Sequence, residues 1–239
     1  MSYSNFTKEN LDTYLKELAK EFRKRNGKSM PAEIVLVGGA AILTNYGFRD
    51  VTTDVDAIIH AASSMKDAVN YVADKFGLPN GWLNADFTRT ASYSPKLDEF
   101  SVYYKTFYGV LSVRAITAEY LIAMKLRSGR KYKNDLSDII GILVEHEKRG
   151  NALTFEKIEK AVMDLYGGWG VFSEYNVSFI KRILASSDLQ DVYRKTKESE
   201  AESKDILLDF EEKYPQVAND SNVDDILRNL KKGLTKQSE

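Results

Sequence analysis

One stretch, residues 33 to 59, constrains this chain more than any other. Glu33-Ile34-Val35-Leu36-Val37 is a short β-branched run of the kind that fills a buried strand, and Gly38-Gly39 follows it at once. A short apolar helix is expected from about Ala40 to Tyr46, stopped by Gly47, and a second strand from Asp54 to Ile59. Side chains alternate along a strand, so Asp54 and Asp56 are expected on one face, with Val55 and Ala57 turned to the core. Two carboxylates brought together in this way repel unless a proton or a cation lies between them. Hard divalent cations such as Mg²⁺ bind through one or two carboxylates plus substrate phosphates. A glycine pair at a strand-to-helix junction lets backbone N–H groups approach a phosphate. A Gly-Gly alone is commonly a turn and an Asp-x-Asp alone is commonly incidental. Their order and closeness carry the reading.

Composition removes several function classes. The chain has 239 residues, a length for one or two domains, and its 43% hydrophobic content is enough for a proper core. Lys and Arg number 34 against 35 Asp and Glu, so a globally basic nucleic-acid coat is excluded while a local basic patch is not. The absence of cysteine rules out disulfide scaffolds, thiolate metal sites and cysteine nucleophiles. Only two histidines, His60 and His146, argue against a multi-histidine zinc centre. No apolar run approaches membrane-spanning length and the polar opening MSYSNFTKEN is not a signal peptide, so the expectation is a soluble cytoplasmic protein with no membrane partner.

The pattern divides near residue 116. Before it, an amphipathic helix is expected over 7–26, then the block above, a helix capped by Ser63 or Ser64 and ended by Gly77, and a mostly irregular stretch from Leu78 to Pro95. Strands are expected over Glu99–Phe107 and Val110–Ile116, joined by a turn at Tyr108-Gly109. After it, helices are expected from Thr117 to about Ser128, from Asp135 to Lys148 and from Thr154 to Tyr166. At least two more follow Gly167-Gly168-Trp169-Gly170, and the chain closes in a charge-rich helical tail from about residue 186 that ends frayed.

Val37-Gly38-Gly39, the apolar helix, Tyr46-Gly47-Phe48-Arg49 and Thr53-Asp54-Val55-Asp56 together resemble the nucleotidyltransferase superfamily of DNA polymerase β type. The stretch from Ala123 to Asp138, with Lys125 and Arg130-Lys131-Tyr132-Lys133-Asn134-Asp135-Leu136-Ser137-Asp138, resembles the later motifs of its toxin-type branch, the abortive-infection AbiEii nucleotidyltransferases and their uncharacterised relatives. The resemblance covers roughly residues 33 to 145. It implies an α/β (α+β) fold, a small mixed β-sheet flanked by helices over 1–116, with a helical C-terminal domain over 117–239 that completes the nucleotide site. It implies a catalytic metal, Mg²⁺ or Mn²⁺, held by Asp54 and Asp56, with Lys125 as the third catalytic residue. Gly38, Gly39, Arg49, Thr53, Lys125, Arg130, Lys133, Asp135 and Asp138 would bind a nucleoside triphosphate. The acceptor hydroxyl would belong to a tRNA or a protein, with an antitoxin as a possible partner; a small-molecule acceptor, or a catalytically inactive module of the same fold, are the alternatives. Members often carry a third carboxylate, for which Asp86, Asp98 and Glu99 are the candidates, leaving the general base unassigned.

The same residues have plainer readings. Lys125, beside Leu121, Ile122 and Leu126, also fits a lysine snorkelling from an apolar face. Asp135 fits a favourable charge on the first turn of a helix, and Asp138 an ordinary salt bridge to Arg130 or Lys133. Against that, residues 114–133 hold six basic side chains and one acid, a local excess suited to a triphosphate or an RNA backbone. His146 reads as a solvated helix residue and Trp169 as packing.

Overall fold

Helix α1 (Lys8–Asn26) begins where the Asn10 N–H donates to the Thr7 hydroxyl and the Thr7 N–H donates back to the Asn10 side chain, a reciprocal cap that satisfies two otherwise free donors. Its apolar face, with Leu11, Leu15, Leu18 and Phe22 fully buried, covers one side of a five-stranded mixed sheet in the order β3-β2-β1-β5-β4. The strands are β1 (Ala32–Leu36), β2 (Val55–His60), β3 (Leu83–Asn84), β4 (Ser101–Phe107) and β5 (Leu111–Ile116). The computed structural model describes residues 5–219 and 222–237. The expected frayed end therefore lies partly at 238–239, outside the described residues, as do the first four residues of the polar opening.

Strand β1 is central and buried because it is apolar on both faces. Leu36 pairs with Ala57 on the antiparallel side and with Ala115 on the parallel side. The chain leaves β1 directly into α2 (Gly38–Asn45), and α3 (Ser64–Phe76) packs beside α1. The turn between β4 and β5 has Tyr108 and Gly109 both at positive φ, the geometry of a tight hairpin. The stretch from Leu78 to Pro95 is mostly irregular, as expected, and within it lie β3, which pairs parallel with β2, and a 3₁₀ turn over Asp86–Arg89. A two-residue strand has no periodicity to read; it is fixed by Trp82, buried, whose indole N–H donates to Val69 O at 3.1 Å. Glu99 belongs to a 3₁₀ turn over Leu97–Phe100, so β4 starts two residues later than expected.

The second half is helical: α4 (Ala118–Ser128), α5 (Asp135–Lys148), α6 (Phe155–Tyr166), α7 (Glu174–Leu184), α8 (Leu189–Lys213) and α9 (Val223–Gln237). One hydrophobic cluster runs from Phe6 to Ile183 through the sheet and these helices. Among the described residues no helix is long and apolar enough to cross a membrane.

The two halves are joined along α5 by the loop that follows α2. Tyr46 Oη lies 3.1 Å from His146 Nε2, the Phe48 ring sits against Gly141, and Arg49 Nη1 donates to Asp138 Oδ2 at 2.5 Å. Residues 138, 141, 145, 146 and 149 share one face of the helix, so a short loop engages three successive turns. Arg149 completes the contact, its guanidinium over the Tyr46 ring and donating to Asn45 O. His146 is thus not the solvated residue its sequence context suggests. It is half-buried, its Nδ1 has no partner, and burial holds its pKa below the ordinary imidazole value.

Gly141 is the position where this seam tolerates no side chain, because a Cβ there would fall 2.5 Å from the Phe48 ring. Gly141→Ala is expected to lower stability by about 1–3 kcal/mol despite alanine's better helix propensity, since overpacking outweighs it. A urea titration checks this; a stabilised variant would contradict the packing described.

Candidate active site

The first turn of α2 and the first residues of β2 form one wall of the site. Val37 caps α2 without any side-chain hydrogen bond, so the leading N–H groups of the helix have no side-chain acceptor. Gly38 has φ +54°, and a Cβ on it would lie 3.7 Å from Asp56 Oδ2. Gly39 is packed closer still: its Cβ would fall 2.4 Å from Thr52 Oγ1 and 3.1 Å from Arg49 Nη2. Gly39 is therefore required by the approach of Arg49 and Thr52 to the helix, and Gly38 by its left-handed backbone, since 3.7 Å is an ordinary contact. Thr52, buried, is held by a backbone bridge to Phe6, and its hydroxyl reaches Asp54 Oδ1 at 3.4 Å.

Asp56 is half-buried on β2, whereas Asp54 lies just before the strand and is exposed. Burial, with the Asp54 charge adding to it, pushes the Asp56 carboxyl up to about 6, against the pull of Arg130 and Lys133. A carboxylate burdened in this way would be relieved by a nearby cation, and an oxygen-only donor set suits Mg²⁺ or Mn²⁺. Among the described residues no cluster of three His, Cys, Asp or Glu side chains stands ready to hold a metal. Asp54 and Asp56 by themselves could supply at most part of a cation's oxygen shell. Of the three further carboxylates, Asp86 lines the same cleft as Asp56 and adds to the repulsion on it. Asp98 is engaged by His60 at 3.1 Å, and Glu99 is exposed in its 3₁₀ turn.

The opposite wall rests on a buried charge network. Lys125 Nζ, on α4, lies 2.9 Å from Asp135 Oδ1 and 2.8 Å from Asp138 Oδ2, both on the first turn of α5. Arg49 closes on Asp138 from below, and Arg130 Nε on Asp135 Oδ2 at 2.8 Å from above. Burial by itself would discharge the Lys125 ammonium, but Asp135 and Asp138 outweigh it and hold its pKa above the ordinary lysine value. Burial likewise opposes ionisation of Asp135, and Lys125 and Arg130 hold its carboxyl well below the usual range. The snorkelling reading of Lys125 is corrected by this arrangement, and Asp138 pairs with Arg49 and Lys125 in place of Arg130 or Lys133. Gly129, at φ +56°, lets the chain turn tightly out of α4, where Asn176 Nδ2 donates to Leu126 O at 2.7 Å.

Between the walls lies a cleft of about 440 Å³. It gathers Gly38, Asp56, Lys125, Arg130 and Asp135 from the expected set, and adds Asp86, Arg127 and Tyr132. Arg49, Asp138 and Gly39 stand behind its walls. Lys133 is exposed at the margin, acting on Asp56 through its charge, and Thr53 is exposed outside the cleft. The inward-facing neighbour of Thr53 is Thr52, which sequence reasoning missed because its partner, Phe6, is remote in the chain.

A family model described as "Nucleotidyltransferase of unknown function (DUF6036)" matches residues 13–167, which spans both walls of the cleft. The chain belongs to this family. The match carries the nucleotidyltransferase superfamily and does not reach the toxin-type branch. Neither a curated protein nor a solved structure matches the chain. Within this nucleotidyltransferase family member, the matched segment ends at Gly167, and α7, α8 and α9 lie outside it.

Helix α8 has a definite structural task. Glu200, buried, accepts the Leu136 N–H at 2.8 Å and the Ser137 N–H at 3.3 Å, capping α5 in the turn that carries Asp135 and Asp138. Sequence reasoning had no signal for it, since the two partners lie 64 residues apart.

Two outcomes follow from these charges. Lys125→Met leaves Asp135 and Asp138 without their shared cation, and a loss of about 3–5 kcal/mol is expected in chemical denaturation; a loss below about 1 kcal/mol would mean the lysine is not integral to the network. Burial pushes the Glu200 carboxyl up to about 7, against the hydrogen bonds from Ser137 and Leu136. The folded chain then keeps a proton that the unfolded chain releases, so this contribution is complete below the unfolded carboxyl's range and is lost as pH rises to 7. Glu200→Gln should flatten the stability profile between about pH 4.5 and 7 and exceed the parent protein's stability at pH 8, measured by melting temperature across pH.

Proposed function

We propose that the cleft transfers a nucleoside monophosphate from a nucleoside triphosphate to an acceptor hydroxyl, releasing pyrophosphate. The observation that carries this reading is the opposition of its walls. Asp56 and the open first turn of α2 meet on one side, and Arg130 and Arg127 face them from the other. A divalent cation bound by Asp54 and Asp56 would supply charge neutralisation for the phosphates and for the attacking oxygen. The chain's own groups do the rest. The N–H groups of Gly38 and Gly39 receive phosphate oxygens, and Arg130, aligned by Asp135, neutralises the triphosphate. Lys125 acts mainly by holding Asp135 and Asp138, and so α5, in register. The acceptor oxygen forms a bond to the α-phosphorus, the bond from that phosphorus to the bridging oxygen breaks, and pyrophosphate leaves. Asp86 is the cleft carboxylate assigned to receive the hydroxyl proton, a role in which Asp98 is excluded by its pairing with His60.

The surroundings of the cleft favour a nucleic-acid acceptor over a protein. Arg127 lies over the Phe172 ring and Lys131 over the Tyr175 ring at 4.7 Å, and Trp169, half-buried against the core, meets the half-buried rings of Phe172 and Phe155. Cations interleaved with rings form the kind of surface on which a single strand stacks while its phosphates are neutralised.

Asp56→Asn is expected to abolish transfer of label from each of the four α-labelled triphosphates, with total RNA and a protein extract offered as acceptors. The variant should melt at or above the parent temperature, because a burdened carboxylate is removed. Retained transfer would overturn the mechanism. Metal-dependent nucleotide binding without transfer in the parent protein would identify an inactive binding module.

A further inference from the structure

The first turn of α9 enters the cleft. Val223 and Asp224 form one end of it, next to the linker between α4 and α5 that carries Arg130 and Tyr132. Asp224 Oδ2 lies 3.9 Å from Lys131 Nζ, the cation that also covers Tyr175. A carboxylate at this place repels the phosphates that the rest of the wall attracts, which makes it a poor ligand for a triphosphate and a fair substitute for one. The pair is half-exposed on both sides, and pairs of this kind are weak enough to be displaced. Over its described side chains the attachment of α9 rests on few contacts. Val223 and Leu227 are its buried side chains among those described, and Lys231 reaches Glu202 on α8 at 3.4 Å. The remainder of its first turn, including Asp225 paired with Arg228, faces outward.

We propose that α9 is an intramolecular competitor, its Asp224 carboxylate occupying the cationic end of the cleft so that an incoming polyphosphate must displace the helix's first turn. This rests on the reading of the cleft as a nucleotide site. It gives α9, which lies outside the matched segment, a function at the cleft. Displacement frees Lys131 and, with it, the ring-and-cation surface that leads away from the cleft. Binding of the triphosphate and exposure of the acceptor surface are thereby coupled.

The test uses the full chain and Mg²⁺-tripolyphosphate, which probes the phosphate end without a base. Asp224→Asn should tighten its binding by about three- to fivefold at low salt, the range available to a half-exposed pair, and the gain should shrink as salt is added. Leu227→Ala, which loosens the helix without touching the cleft charges, should tighten it further. Asp225→Asn, equal in net charge to Asp224→Asn but outside the cleft, should leave it unchanged. Linkage requires the reciprocal effect, so saturating Mg²⁺-tripolyphosphate should speed hydrogen exchange of the amides over residues 223–232 in the parent protein. Unchanged or weaker binding in Asp224→Asn, or slower exchange in α9 on binding, would overturn the competitor role while leaving the nucleotide site in place. No binding to the parent protein or to any variant would overturn the nucleotide reading and this inference together.

Discussion

Everything in the cleft depends on one buried arrangement of charge: Lys125 between Asp135 and Asp138, closed by Arg49 and Arg130. Taking charges out of water costs several kcal/mol each, and only close, complete pairing offsets that cost. Here the pairing draws on four separate pieces of chain: the loop after α2, the end of α4, the linker, and the first turn of α5. The network can be satisfied only when all four are in place. It therefore works less as a source of stability than as a condition on geometry. The same Arg49 that answers Asp138 passes beside Gly39, so the N-terminal end of α2 is set by the charges on the far side of the cleft.

The sheet serves this arrangement by placing Asp56. Strand β1, apolar but for Glu33, locks β2 in antiparallel register, and the Val37 N–H bonded to Asp56 O ties the residue before the glycine pair to the acidic one. From the other direction, Glu200 holds the first turn of α5 by its N–H groups. The acidic residues of that turn are thus fixed from above by α8 and from below by Arg49. Opposed walls of unlike charge result, and a metal-bound triphosphate suits such a space because it presents both signs at once.

What was readable in the sequence was what is local. The β-branched run before Gly38-Gly39, the alternation through Asp56, and the helical spacing over residues 135–148 each depend on near neighbours, and each element lies where expected within a few residues. Arg130 and Asp56 came to the cleft together because their motifs were legible one at a time. What was not readable depends on partners distant in the chain. Arg49 and Asp138 are 89 residues apart, and nothing in either neighbourhood names the other. Lys125 on an apolar helix face has the same local pattern whether it snorkels or is paired. Thr52 was passed over for Thr53 because the bridge to Phe6 that turns it inward leaves no mark on its own segment. Asp224, in a charge-rich tail, has a sequence context indistinguishable from that of any solvated helix turn.

The proposed site has Asp54 and Asp56 holding a divalent cation against a triphosphate that runs from the α2 N-terminus to Arg130. Anomalous diffraction from crystals of the protein grown with Mn²⁺ and a non-hydrolysable α,β-methylene nucleoside triphosphate tests it. A manganese peak coordinated by the Asp56 and Asp54 carboxylates is expected, with the phosphates against Gly38 and Gly39 and in contact with Arg130. Manganese bound elsewhere in the chain, or a triphosphate seated away from Gly38 and Arg130, would contradict it.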